Sequence, residues 1–140
     1  MNYLNMMSEN FFKLFFKGDF TVPPVVVRNS FSEKFPDAIN VEWVKMDKDF
    51  EAIFYENNTE KIAIFKDDGK WLETKINLDV ITLNPVIKNN AEKSGEIMNS
   101  IEIETDEAVN YEIIIRDKQL NRYLLILSST GELKSNTPIN

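Results

Sequence analysis

The chain has 140 residues, 43% hydrophobic and 28% charged, with a formal net charge of −7. That is long and apolar enough for one folded domain and excludes a disordered chain; the acidic balance argues against a nucleic-acid partner, since no cationic excess exists to displace counterions. Neither cysteine nor histidine occurs, which excludes disulfides, thiolate or imidazole metal sites, and triads of the Ser-His-Asp kind.

Residues 1-21 differ from the rest. Phe11, Phe12, Phe15, Phe16 and Phe20 crowd the segment, interrupted by Lys13 and Lys17. Leu4, Met7, Phe11, Leu14 and Phe15 follow a helical period, which predicts an amphipathic helix ended by Gly18 and Asp19. Glu9 precedes the apolar part, lysines break it and no small-residue cleavage site follows, so the pattern is not that of an export signal and reads as cytoplasmic. It is too short and too charged to span a bilayer. Docking on the domain, or on a second copy to give a homo-oligomer through residues 1-20, is the expectation, with an interfacial membrane anchor or a degraded export signal as the alternative.

From Val22 the pattern becomes regular. Val22-Pro23-Pro24 starts a helix carrying Val25, Val26, Phe31 and Phe35, and Pro36 stops it. The period then changes to two. Ile39, Val41 and Trp43 alternate with Asn40, Glu42 and Val44, and Phe50, Ala52 and Phe54 with Glu51, Ile53 and Tyr55, which marks half-buried strands. Met46-Asp47-Lys48-Asp49 and Glu56-Asn57-Asn58-Thr59 read as hairpin connections. Asn57-Asn58-Thr59 also matches a glycosylation acceptor, although a turn explains it. Asp68-Gly69 predicts a type I′ turn before a strand from Trp71 to Ile76. Next, Asn84 is a plausible N-cap, Pro85 opens a helix ending near Ser94-Gly95, and strands follow at about 97–104, 110–116, 122–127 and 132–135.

The order is the same twice. Gly69 and Gly131 lie 62 positions apart, and Phe50-Glu51-Ala52-Ile53-Phe54 matches Tyr111-Glu112-Ile113-Ile114-Ile115 at a shift of 61. The expected fold is therefore α+β: two tandem helix-plus-four-strand antiparallel repeats, residues 22-80 and 81-136, with helices packed on one face of the sheet and the N-terminal helix added.

Phe31-x-x-x-Phe35-Pro36-x-Ala38, then Val41-Glu42-Trp43, Phe50-Glu51-Ala52-Ile53-Phe54 and Phe65-Lys66-Asp67-Asp68-Gly69-Lys70-Trp71-Leu72-Glu73-Thr74, together resemble the PepSY-like family, also called β-lactamase-inhibitor-like. The resemblance covers roughly residues 22 to 135. It implies a fold similar to β-lactamase inhibitory protein for the domain 22-140, an exported or periplasmic bacterial protein, and no catalytic residues.

The expected function is a non-catalytic protein-binding module of unknown partner, inhibitor- or sensor-like. The alternatives are an assembly protein that dimerises through its N-terminal helix, and a carboxylate-based enzyme. No cofactor or metal is expected. Trp71, Tyr55, Glu73 and Lys75 are the candidate partner-binding residues, because exposed aromatics on strands anchor interfaces. Trp43 aligns with Ile103 when Val41-Glu42-Trp43 is laid on Ile101-Glu102-Ile103, which assigns it to the core. Glu102, Glu104, Asp106, Glu107 and Glu112 concentrate acid around one hairpin but lack the glycine bend and regular offsets of a calcium loop.

Overall fold

The computed structural model describes residues 19–139. Among them nine strands follow one another in a single sheet, each hydrogen-bonded to its sequence neighbour: β1 (Asp19–Phe20), β2 (Ile39–Met46), β3 (Asp49–Glu56), β4 (Thr59–Lys66), β5 (Trp71–Leu78), β6 (Glu96–Thr105), β7 (Val109–Arg116), β8 (Arg122–Ser128) and β9 (Leu133–Ile139). Two short helices interrupt the sequence of strands, α1 (Val25–Lys34) and α2 (Pro85–Glu92), with a 3-10 turn at Val80–Thr82. No helix of the described residues is long and apolar enough to cross a membrane.

This corrects the expected fold. The chain is not two tandem helix-plus-four-strand repeats but mostly one sheet, to which Asp19 and Phe20, placed in the N-terminal segment by their sequence, add a strand paired with Lys45 and Val44. Separate four-stranded sheets would each leave edge N–H and C=O groups unpaired, and running β5 into β6 satisfies them. The expected helix over residues 1–18 lies outside the described residues. Contacts divide the chain into two compact units, Met1–Glu73 and Thr74–Asn140.

In the first unit, α1 buries Val27, Phe31 and Phe35, one side of a helix at i, i+4 and i+8. They meet Phe50, Ala52, Phe54, Ala63 and Phe65 of β3 and β4. Ala52 pairs directly with Ala63, and both belong to the cluster that holds Phe31. Its ring centroid lies 4.9 Å from Phe54, 5.2 Å from Trp43 and 6.1 Å from Phe65, all edge-on. Each fully buried phenylalanine contributes about 1.5–3 kcal/mol, so this aromatic cluster holds helix to sheet.

In the second unit the core is aliphatic. Asn84 caps α2 by accepting from the Val86 N–H at 2.9 Å, with Pro85 in the first turn. Ile87 and Ala91, one turn apart, pack with Leu83 on Ile113 and Ile115 of β7 and Leu125 and Leu127 of β8.

Turn chemistry follows the residues. Asn57 and Asn58 both have positive φ (51° and 65°), the requirement of a type I′ hairpin. The Asp68-Gly69 connection is different from expectation. Only Gly69 is left-handed there, at φ +92°, and the Gly69 N–H bonds Lys66 O while the Lys66 N–H bonds Lys70 O. Asp67 and Asp68 thus form an ordinary turn closed by a left-handed bulge residue. Gly131 does the same between Ser128 and Glu132. Between Asp117 and Asn121 the left-handed place is held by Leu120 at φ 67°, with the Asp117 carboxylate accepting from the Gln119 and Asn121 N–H groups.

A Cβ added at Gly69 would lie 2.7 Å from Ser30 Oγ on α1, and one at Gly131 would lie 2.8 Å from Val86 Cγ1 on α2. Gly69→Ala and Gly131→Ala should therefore each lower stability by about 1–3 kcal/mol in urea titration, combining left-handed strain with the clash.

Candidate functional site

A strand sends alternate side chains to opposite faces, so each unit has a face beneath its helix and an opposite face, helix-free among the described residues. Register decides membership, and a bulge in β2 between Ile39 and Glu42 and another in β6 between Ile97 and Asn99 shift it by one residue.

Trp71 stands on the helix side. It packs against the Phe31 cluster, and Lys34 Nζ lies 3.8 Å above its ring centroid, a cation–π contact from the last turn of α1. Glu73 and Lys75 follow Trp71 at two-residue intervals on the same strand, which sends them to the same face. Tyr55 neighbours the buried Phe54 and therefore points the other way, opposite Glu60 on β4 and Ile39 on β2. The four candidates do not form one surface.

Trp43 also packs on the Phe31 cluster, but its assigned equivalent does not share its orientation. Ser100 is the β6 residue opposite core Ile113, while Ile103 pairs with Asn110 on the helix-free face. The β2–β3 connection spans two residues and the β6–β7 connection three, and β6 is two residues longer than β2, so the sequence alignment of these strands slipped. Ser100 is buried and donates its hydroxyl to Leu78 O at 3.1 Å.

The acidic concentration disperses. Glu102 lies on the helix side with its Oε1 3.1 Å from the Tyr111 hydroxyl, whereas Glu112 lies on the helix-free face between Ile101 and Ile126. Asp68 accepts from the Lys70 N–H and serves its turn. Among the described residues no three carboxylates come together to hold a metal ion. The Tyr111 phenol is held above its ordinary 10.0, first because burial disfavours the phenolate, then because Glu102 places negative charge and a hydrogen bond beside it, with Glu104 adding charge.

The surface that sequence reasoning passed over is the helix-free face of the second unit. Ile101 and Glu112 pair across β6 and β7, Glu112 and Ile126 across β7 and β8, and Ile114 pairs with Leu124 beside them. Ile103, Ile114, Leu124 and Ile126 are all part-exposed there. The signal was present in Ile113-Ile114-Ile115 and Leu124-Leu125-Ile126-Leu127, which are apolar at both parities rather than alternating.

No protein-family model matches the chain, and no curated protein does either. Solved structures do match. A DUF2874 family protein from Bacteroides ovatus aligns at a TM-score of 0.77 and 22% identity, over 84% of this chain and 89% of its own. A candidate periplasmic protein from Bacteroides eggerthii aligns at 0.77 and 17%, over 85% and 91%. A BLIP-like protein from Bacteroides fragilis aligns at 0.76 and 16%, over 85% and 88%. Identities this low establish the fold alone, and the fold is BLIP-like.

Two outcomes follow from these placements. Trp71→Ala should cost about 2 kcal/mol in chemical denaturation, because it strips a half-buried ring and the cation above it from the Phe31 cluster. For Tyr111, the unfolded phenol loses its proton first as pH rises, so stability is fully present below pH 10.0 and falls as pH climbs through the higher folded value. Tyr111→Phe should flatten that alkaline decline in melts recorded across pH.

Proposed function

We propose that the chain is a non-catalytic protein-binding module, and that the second unit carries the contact surface on its helix-free face. The supporting observation is the row of part-exposed aliphatic side chains, Ile103, Ile114, Leu124 and Ile126, grouped around Glu112 and lying away from α2. Apolar side chains grouped on a sheet face and left part-exposed suit a contact surface. A carboxylate set among isoleucines selects a partner with an apolar body and a Lys or Arg at its centre, and a net charge of −7 steers such a partner in.

The lack of imidazole and thiol throughout the sequence supports the non-catalytic reading, since any catalysis would have to run on carboxylates, Lys, Tyr or Ser alone. The BLIP-like description belongs to the Bacteroides fragilis protein; its fold supports protein binding here, with inhibition or sensing as the outcome. The PepSY-like relationship is part of the same proposal. Its motif residues Phe31, Phe35, Trp43, Phe54 and Phe65 pack together around α1, so the motif is a signature of the fold and not of a site.

The test is affinity capture from native extract with the full chain, wild type against Ile114→Lys, each checked by its unfolding midpoint. A partner held by wild type should fall by about tenfold or more with the variant, because one desolvated lysine at an interface centre costs several kcal/mol. Equal recovery by both folded proteins would overturn the assignment of this face.

A further inference from the structure

On the helix-free face of the second unit the charges follow a pattern. Cross-strand partners share a face. Along β7 this face presents Glu112, Ile114 and Arg116, and directly opposite them β8 presents Ile126, Leu124 and Arg122. Acid stands at one end of an aliphatic row and base at the other. Glu112 and Arg116 are four residues apart on β7, about 14 Å of strand.

Neither end is balanced within the chain. Arg116 and Arg122 pair across β7 and β8, and like charges so placed repel. Arg116 also holds Glu96, its pair on β6, at 3.2 Å. Among the described residues Arg122 makes no ion pair, and Glu112 has neither an ion pair nor a hydrogen bond. Arg122 is exposed and Glu112 part-exposed, so a second molecule can reach both.

We propose that a second copy of this chain occupies the face, with Glu112 of each copy set at the Arg116–Arg122 pair of the other. This rests on the reading of the face as a contact surface and names its occupant. Self-complementarity carries it. A two-fold axis lying in the contact plane and crossing the strands at Ile114 and Leu124 lays the acidic end of one face on the basic end of the other. The aliphatic side chains between the two ends then meet their own equivalents. An axis along the strands would instead lay Glu112 on Glu112 and arginine on arginine, which like-charge repulsion disfavours. Charge thus selects one arrangement, in which Glu112 meets an apolar body carrying cations. Glu96 and Glu112 balance Arg116 and Arg122, so these four sum to zero and the net −7 of each chain lies elsewhere. At physiological salt that charge is screened beyond about 8 Å.

Sedimentation equilibrium of the full chain from about 1 to about 100 μM should show reversible dimerisation. Glu112→Arg should weaken the dimer at least about tenfold, and so should Arg116→Glu with Arg122→Glu, because each sets like charges against each other at the contact. Mixed in equal amounts, the basic and acidic variants should associate with each other, since every arginine of the contact then meets a glutamate. Arg122→Glu alone should weaken the dimer and leave the urea unfolding midpoint unchanged or higher, because it turns an arginine pair into an ion pair across β7 and β8.

A wild-type chain that stays monomeric throughout overturns the proposal. A dimer that Glu112→Arg leaves intact is held by another surface and overturns it too. So does a mixture of folded variants that fails to associate. Should the double variant not fold, Arg122→Glu takes its place in the mixture. These results leave the reading of the face separately testable: a captured foreign protein lost on Ile114→Lys from a monomeric chain would uphold that reading and exclude the second copy.

Discussion

One geometric constraint runs through the molecule: a strand has two faces, and among the described residues each unit has one short α-helix packed on one of them. The helix-covered faces explain the cores. Val27, Phe31 and Phe35 at one-turn spacing meet the even-numbered residues of β3 and the odd-numbered residues of β4. Ile87 and Ala91 meet odd-numbered residues of β7 and β8.

The two cores solve the same packing problem with different materials. Paired Ala52 and Ala63 belong to the cluster that holds Phe31, and edge-on aromatic contacts add specific geometry to simple burial. The second unit uses branched aliphatics, whose shape suits the pleated surface. Because phenylalanines, a tryptophan and their neighbouring turn residues are conspicuous in sequence, the first core also carries the family resemblance. That is why the tempting aromatic residues proved to be mostly structural in placement. Trp43 and Trp71 face the helix, and Lys34 caps the Trp71 ring.

Both helix-free faces mix buried and part-exposed side chains. In the second unit Ile103, Ile114, Leu124 and Ile126 remain part-exposed around Glu112, with Ile101 buried among them. In the first, Val44, Glu51 and Ile62 are buried while Ile53 and Ile64 are part-exposed.

Much of the local structure was legible in the residues. The alternation from Ile39 to Tyr55, the Asn57-Asn58 turn, the Asn84-Pro85 helix start and the stop at Pro36 all act over a few residues, where dihedral preference and period leave little choice. Asp68-Gly69 misled only in turn type, since the dipeptide suits two loop lengths. What sequence left open was everything that depends on pairing between distant strands. Whether β5 joins β6, and so whether there is one sheet or two, is settled by edge hydrogen bonds that no local pattern encodes. The pairing of β6 with β7 turned Ile103 away from the face assigned to it, because a one-residue slip of register inverts every side chain. The open aliphatic face was written as runs apolar at both parities, yet only the tertiary structure could say which parity α2 covers.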